Sequence, residues 1–104
     1  VELTGFDELG MPVYVITDNV VAANSTATSR VYPGGSLGYN LTGEGMTVGE
    51  WDGGATRLTH QELNGRAVQV DGATTLSNHA THVAGTLIGG GVQPNARGMA
   101  WEAN

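Results

Sequence analysis

The sequence predicts an α/β fold built on a parallel sheet, and three observations predict it. Glycine supplies 17 of 104 residues, which suits a tightly turning, loop-rich chain better than a helix bundle. Two β-type runs, residues 46–52 and 66–70, are each closed at once by turn residues. A helical stretch beginning at residue 78 follows them, and a strand-like start closes the chain at 96–104. Strand, loop, strand, loop, helix and strand-start is the order of an α/β layer structure.

Each element has its own justification. Val1 to Phe6 alternates loosely, Asp7-Glu8-Leu9-Gly10 has turn chemistry, and Met11 to Thr17 is β-branched and aromatic. A hairpin follows, with Gly10 in its turn and Pro12 confined to a strand start or an edge. Asp18 is placed to cap a short helix through Val20, Val21, Ala22 and Ala23, which Asn24-Ser25-Thr26 weakens. Residues 31–45 read as loop, with one helical turn around Ser36 to Tyr39. Met46 to Asp52 is a strand ending on an acid, because Gly53-Gly54 turns the backbone immediately. Thr59 to Leu63 is one helical turn, and Arg66 to Val70 is a second strand closed by Asp71-Gly72. Asn78 is a good N-cap, Val83, Ala84, Leu87 and Ile88 share one helix face, and Gly89-Gly90-Gly91 ends the helix. No internal repeat is present.

Composition removes several function classes. The net charge is −6, with four arginines and no lysine, which argues against a surface that tracks nucleic-acid phosphates. No apolar run approaches the ~20 residues that span a bilayer. There are no cysteines, so disulfides hold nothing. The opening Val1-Glu2 carries no signal peptide; an exported protein would be represented here by a mature or internal piece. The sequons at Asn24 and Asn40 read as chance.

The sharpest chemistry lies in Asp52 and His79. In sheets of this class, functional groups collect at the carboxyl ends of strands, and Asp52 ends its own strand. His79 stands in the first turn of the helix. A carboxylate fixes an imidazole's tautomer and stabilises the imidazolium, whereas a helix N-terminus disfavours the cation. Together the two influences keep a histidine available as a general base.

The run His79-Ala80-Thr81-His82-Val83-Ala84-Gly85-Thr86 resembles the His-Gly-Thr-His-Val-Ala-Gly-Thr signature of subtilisin-like serine proteases, at seven of eight positions. Met46 to Gly54 resembles that family's Asp segment, and Gly98-Met99-Ala100 its Gly-Val-Ala element. The resemblance covers residues 36–104 and leaves 1–35 as an N-terminal extension. It implies part of a three-layer fold with a parallel sheet. It also implies a secreted, bacterial-type endopeptidase in which Asp52 orients the base and His79 is the base. By the same resemblance His82 is a buried structural residue, Thr81 packs the helix start, and Gly85 lets a strand approach the helix.

Two positions depart from the pattern. Ala80 replaces a glycine, adding a methyl beside the site, and Gly53 replaces a hydroxyl residue that would bond the acid. The nucleophile is also outside the chain. None of Ser25, Ser29, Ser36 and Ser77 follows the His helix, and a base with its acid cannot form an acyl-enzyme alone. The chain therefore reads as the N-terminal part of a protease domain, inactive by itself, whose partners are a peptide substrate and the remainder carrying the serine. Open sheet edges and apolar faces predict self-association.

Other readings are a non-catalytic interaction module and a metal site of His79 and His82 with Asp52 or His60. No cofactor is required. Calcium is expected, if at all, only in the complete domain, because Asp71 alone reads as turn chemistry. Trp51 and Trp101 are expected to pack, and Arg57, Arg66 and Arg97 to be surface charges.

Overall fold

The computed structural model describes residues 2–15 and 18–104; the ends of the two expected hairpin strands, Val1, Ile16 and Thr17, lie outside them. A two-stranded antiparallel hairpin opens the chain, with β1 at Glu2–Phe6 and β2 at Pro12–Val15. Asp7 closes its turn, its Oδ1 accepting from the backbone N–H groups of Leu9 and Met11 at 2.9 Å each. Gly10 takes φ +76°, where a side chain would be strained. Pro12 is the first residue of β2, where its missing N–H costs no ladder bond.

The short helix α1 spans Asn19–Ser25, and Asp18 caps it by accepting from Val21 N–H. It docks on the 3₁₀ turn at Pro94–Ala96 through Asn19, whose buried amide donates to the Ala96 carbonyl at 3.0 Å. Past a 3₁₀ turn at Thr28–Val31, Tyr32 is buried edge-on against Trp101, and the Arg97 guanidinium lies 3.8 Å from the Trp101 ring centroid. Trp101 thus packs as expected. Arg97 is not a free surface charge, since its stem and head cover two aromatic rings.

The helix α2 spans Asn78–Ile88. Its N-cap is Ser77 rather than Asn78: Ser77 Oγ accepts from Ala80 N–H at 3.1 Å, and Asn78 is already helical. Gly89 ends the helix, as the glycine run predicts. Ala80, Ala84 and Ile88 lie one turn apart on the buried line. Ala84 and Ile88 join Leu63 and Ala103 in the core, with Leu87 packed against it. His82 sits about 200° around the helix from Ala80 and is exposed, so the expectation that it is buried is corrected.

The close approach to α2 also falls elsewhere than expected. Nothing lies within 4 Å of a Cβ built on Gly85, whereas one on Gly98 would collide with the backbone of Gly89. Gly98, Met99 and Ala100 donate in turn to the carbonyls of Gly89, Thr86 and Leu87. The Gly-Met-Ala element is therefore laid along the last turn of α2, and its glycine is the residue that must stay small.

The strands expected at 46–52 and 66–70 are not formed: neither segment has regular secondary structure, and the two form no ladder with each other. Among the described residues, parallel contacts occur in two places. Ala55 bridges Leu76, with Ala55 N–H donating to Thr75 and Ser77 N–H to Ala55. Asn104 pairs with residues 46–48, its N–H donating to Met46 and its carbonyl accepting from Val48. The turn expected at Thr59–Leu63 is present as successive turns over 61–65. Among the described residues, Leu63 is the one large side chain that is fully buried. The radius of gyration is 15.2 Å, against ~13 Å for a compact chain of this length, which reflects a flat body with an open side.

Candidate active site

The open side lies between residues 46–54, residues 66–71 and the length of α2 from His79 to Ile88, and it holds a cavity of about 860 Å³. Its rim is apolar. Val68 and Val70 are 77% and 90% exposed, and Trp51, expected to pack, is 92% exposed with its ring folded over Gly49. Without a ladder partner across the cavity, the outward side chains of these segments have nothing to cover them.

Asp52 and His79 meet at the mouth of this cavity. His79 Nδ1 lies 2.6 Å from Asp52 Oδ2. The imidazole is 75% exposed at the side chain and the carboxylate 15%. Asp52 is held twice, because its Oδ1 accepts from Gly53 N–H at 2.6 Å. The glycine lacks the expected hydroxyl, but its backbone N–H does the orienting in its place. That N–H, and then the His79 bond, hold the Asp52 carboxyl below the usual range. An ionised Asp52 accepts the Nδ1 proton, which leaves the Nε2 lone pair facing solvent.

Local sequence explains why the imidazole is there. Ser77 starts α2 one residue before Asn78, so His79 falls on the first turn with its ring beyond the buried line of Ala80, Ala84 and Ile88. Thr81 ties the acid's flank to the helix: its Oγ1 bonds the Ser77 carbonyl at 2.8 Å and accepts from Arg57 N–H at 3.0 Å. Ala80 is buried, so its extra methyl is absorbed inside the helix packing, and the helix runs on without a break.

The other candidates are not brought in. Among the described residues, no three His, Asp or Glu side chains converge as metal ligands. His60 Nδ1 instead accepts from Glu62 N–H, and the Asp71 carboxylate accepts from Gln69 Nε2 and Ala73 N–H. No described helix is long and apolar enough to cross a membrane.

Three residues matter that the sequence reading passed over or misplaced. Glu62 is buried, and its carboxylate accepts from the N–H groups of Gly91, Val92 and Gln93 at 2.6–3.0 Å. Arg66, expected at the surface, donates to the carbonyls of Ala103, Glu62 and Ile88. Glu50 lines the cavity two residues before Asp52, with its Oε1 buried and unpartnered among the described residues. Its place two residues before Asp52, in the run that reads as a strand, was the available signal.

Comparison with protein-family models, with curated proteins and with solved structures finds no match to this chain. The functional reading therefore rests on the site's geometry and on the resemblance of its motifs.

Proposed function

We propose that this chain supplies the acid and the base of a serine endopeptidase site, and that the nucleophilic serine comes from a segment outside residues 1–104. The observation that carries the reading is the 2.6 Å contact between His79 Nδ1 and Asp52 Oδ2, beneath an imidazole whose other face is open. In the reaction, Nε2 takes the proton of the serine hydroxyl as Oγ attacks the scissile carbonyl. Asp52 stabilises the imidazolium that forms, and the same proton passes to the leaving amine. The resemblance implies that the oxyanion donor, like the serine, comes from outside residues 1–104. The His motif's likeness to the subtilisin-like signature supports this order of roles. No metal or organic cofactor enters the chemistry.

An interaction module remains a second reading, favoured by the apolar cavity rim of Val68, Val70 and Trp51. The two readings separate in one assay. The chain is combined with a polypeptide carrying a Gly-Thr-Ser segment, and peptide hydrolysis is measured. Asp52→Asn is expected to lower kcat by about 10⁴-fold and His79→Ala by about 10⁶-fold, with chelators inert. Hydrolysis indifferent to both substitutions, or its absence in the combined protein, would leave the module.

A further inference from the structure

We propose that Asn64 is a self-modifying site: its side-chain amide closes onto the backbone nitrogen of Gly65, and the succinimide so formed opens with water to aspartate or isoaspartate. The inference stands apart from the acid–base reading of Asp52 and His79. Asn64 is followed by glycine, and no other asparagine of the chain is. A glycine has no side chain to shield its nitrogen, and its backbone reaches conformations closed to other residues.

The structure leaves both reacting groups open. Leu63, Asn64, Gly65 and Arg66 form a tight turn, closed by Arg66 N–H donating to the Leu63 carbonyl at 2.9 Å. Its central residues have φ +43° and +74°, the pair of positive values that a type I′ turn requires and Asn-Gly supplies. Asn64 and Gly65 are exposed, and a Cβ built on Gly65 meets nothing within 4 Å. Among the described residues, no hydrogen bond engages the Asn64 side-chain amide or the Gly65 N–H. Asn19 is the contrast, since its amide is buried and donates to the Ala96 carbonyl.

The step balances within the turn and its solvent. The Gly65 nitrogen gives its proton to hydroxide and bonds to Asn64 Cγ. The Cγ–Nδ2 bond breaks, and the amide nitrogen leaves as ammonia after taking a proton from water. A water molecule then opens the imide. Opening at Cγ gives aspartate. Opening at the α-carbonyl gives isoaspartate, whose main chain runs through the former side chain. Either product adds a negative charge to a chain that is already acidic.

The place of the turn gives this change a consequence. It joins the fully buried Leu63 to Arg66, whose guanidinium donates to the carbonyls of Ala103, Glu62 and Ile88. Isoaspartate lengthens the main chain between them and sets a carboxylate two residues from the guanidinium. The corner in which Glu62 holds the N–H groups of Gly90, Gly91, Val92 and Gln93 is loosened with it.

Timed incubation of the folded chain at mildly alkaline pH, followed by mass spectrometry of its peptides, tests this. The peptide carrying Asn64 is expected to take the mass of the acid before those carrying Asn24, Asn40, Asn78 or Asn95. It should also become a methyl acceptor for an isoaspartyl methyltransferase. Hydrogen exchange at residues 90–93 should quicken in the incubated chain, while exchange at the hairpin turn of Asp7 to Met11 stays as it was. Asn64→Gly suits the positive φ and removes the amide, so it should show neither the mass change nor the faster exchange. An Asn64 peptide that keeps its amide mass throughout, or while another asparagine converts, overturns the proposal. Conversion that leaves residues 90–93 at their starting exchange rate overturns the link to α2.

Discussion

The two ends of α2 are built on opposite plans. At the C-terminal end, Arg66 donates to the Ile88 carbonyl, the Glu62 carbonyl takes Gly90 N–H, and the Glu62 carboxylate gathers three consecutive backbone N–H groups. Polar groups there are paired, with Glu62 buried and Arg66 half-buried. At the N-terminal end, the imidazole of His79 is exposed, Glu50 has an orphan oxygen, and the cavity rim is apolar and uncovered. The comparison teaches how a small chain presents a reactive group. One end of the helix is fixed by saturated hydrogen bonding, so that the other end can hold His79 at Asp52 while leaving its second nitrogen free to work.

Removing the fixed end should have the largest effect. Glu62→Ala leaves three backbone N–H groups without their acceptor, and charge-assisted bonds of this kind are worth roughly 1.5–3 kcal/mol each before relaxation. A loss of about 3 kcal/mol is expected in urea unfolding, with the His79–Asp52 contact loosened as a consequence. Glu62→Gln, which keeps one acceptor oxygen, should lose less. If Glu62→Ala unfolds at the same urea concentration as the parent chain, the closed corner is not what holds α2.

The open end should respond differently. Substituting Val68→Lys together with Val70→Glu removes apolar surface without touching a buried contact, so stability should stay within about 0.5 kcal/mol. The self-association expected of the parent chain should fall, which sedimentation would read directly. An association constant unchanged by the pair of substitutions would mean that copies meet through another surface, such as the exposed hairpin side chains Phe6 and Leu9.

The smallest effects are electrostatic, and they carry opposite signs at the two acids. Asp52 is depressed in the folded chain, so its contribution is complete above the unfolded value of about 3.9 and is lost as pH falls through the lower folded value. Glu50 is raised, so its protonated form favours the fold, and stability declines as pH climbs from the ordinary glutamate value through the raised one. Acid titration of stability should therefore flatten at its acid end in Asp52→Asn and at its upper end in Glu50→Gln. Matching curves for the two variants would remove the distinction between the acids.

Local chemistry made much of the chain legible. The Asp7–Gly10 turn, the Asp18 cap, the stop at Gly89 and the place of His79 in the first turn follow from residues within a few positions of each other. Capping was misplaced by one residue because Ser77 and Asn78 are both good caps, and only the backbone decides which one is extended. The roles of His82, Trp51, Gly98 and Arg66 were not legible, because each depends on what another part of the chain lays against it. His82 needed a covering layer that the described residues do not supply. Gly98 needed the last turn of α2 beside it.

By itself, the sequence singled out Asp52 and His79 as candidates and the short elements that present them, since turns, caps and helix faces are governed by nearest neighbours. The tertiary structure alone decided that Asp52 and His79 touch, that Glu62 is buried under three backbone N–H groups, and that a half-buried Arg66 ties together three carbonyls. Those contacts join positions far apart along the chain, and hydrogen-bond geometry across such distances is set by packing, which no local pattern of residue types encodes.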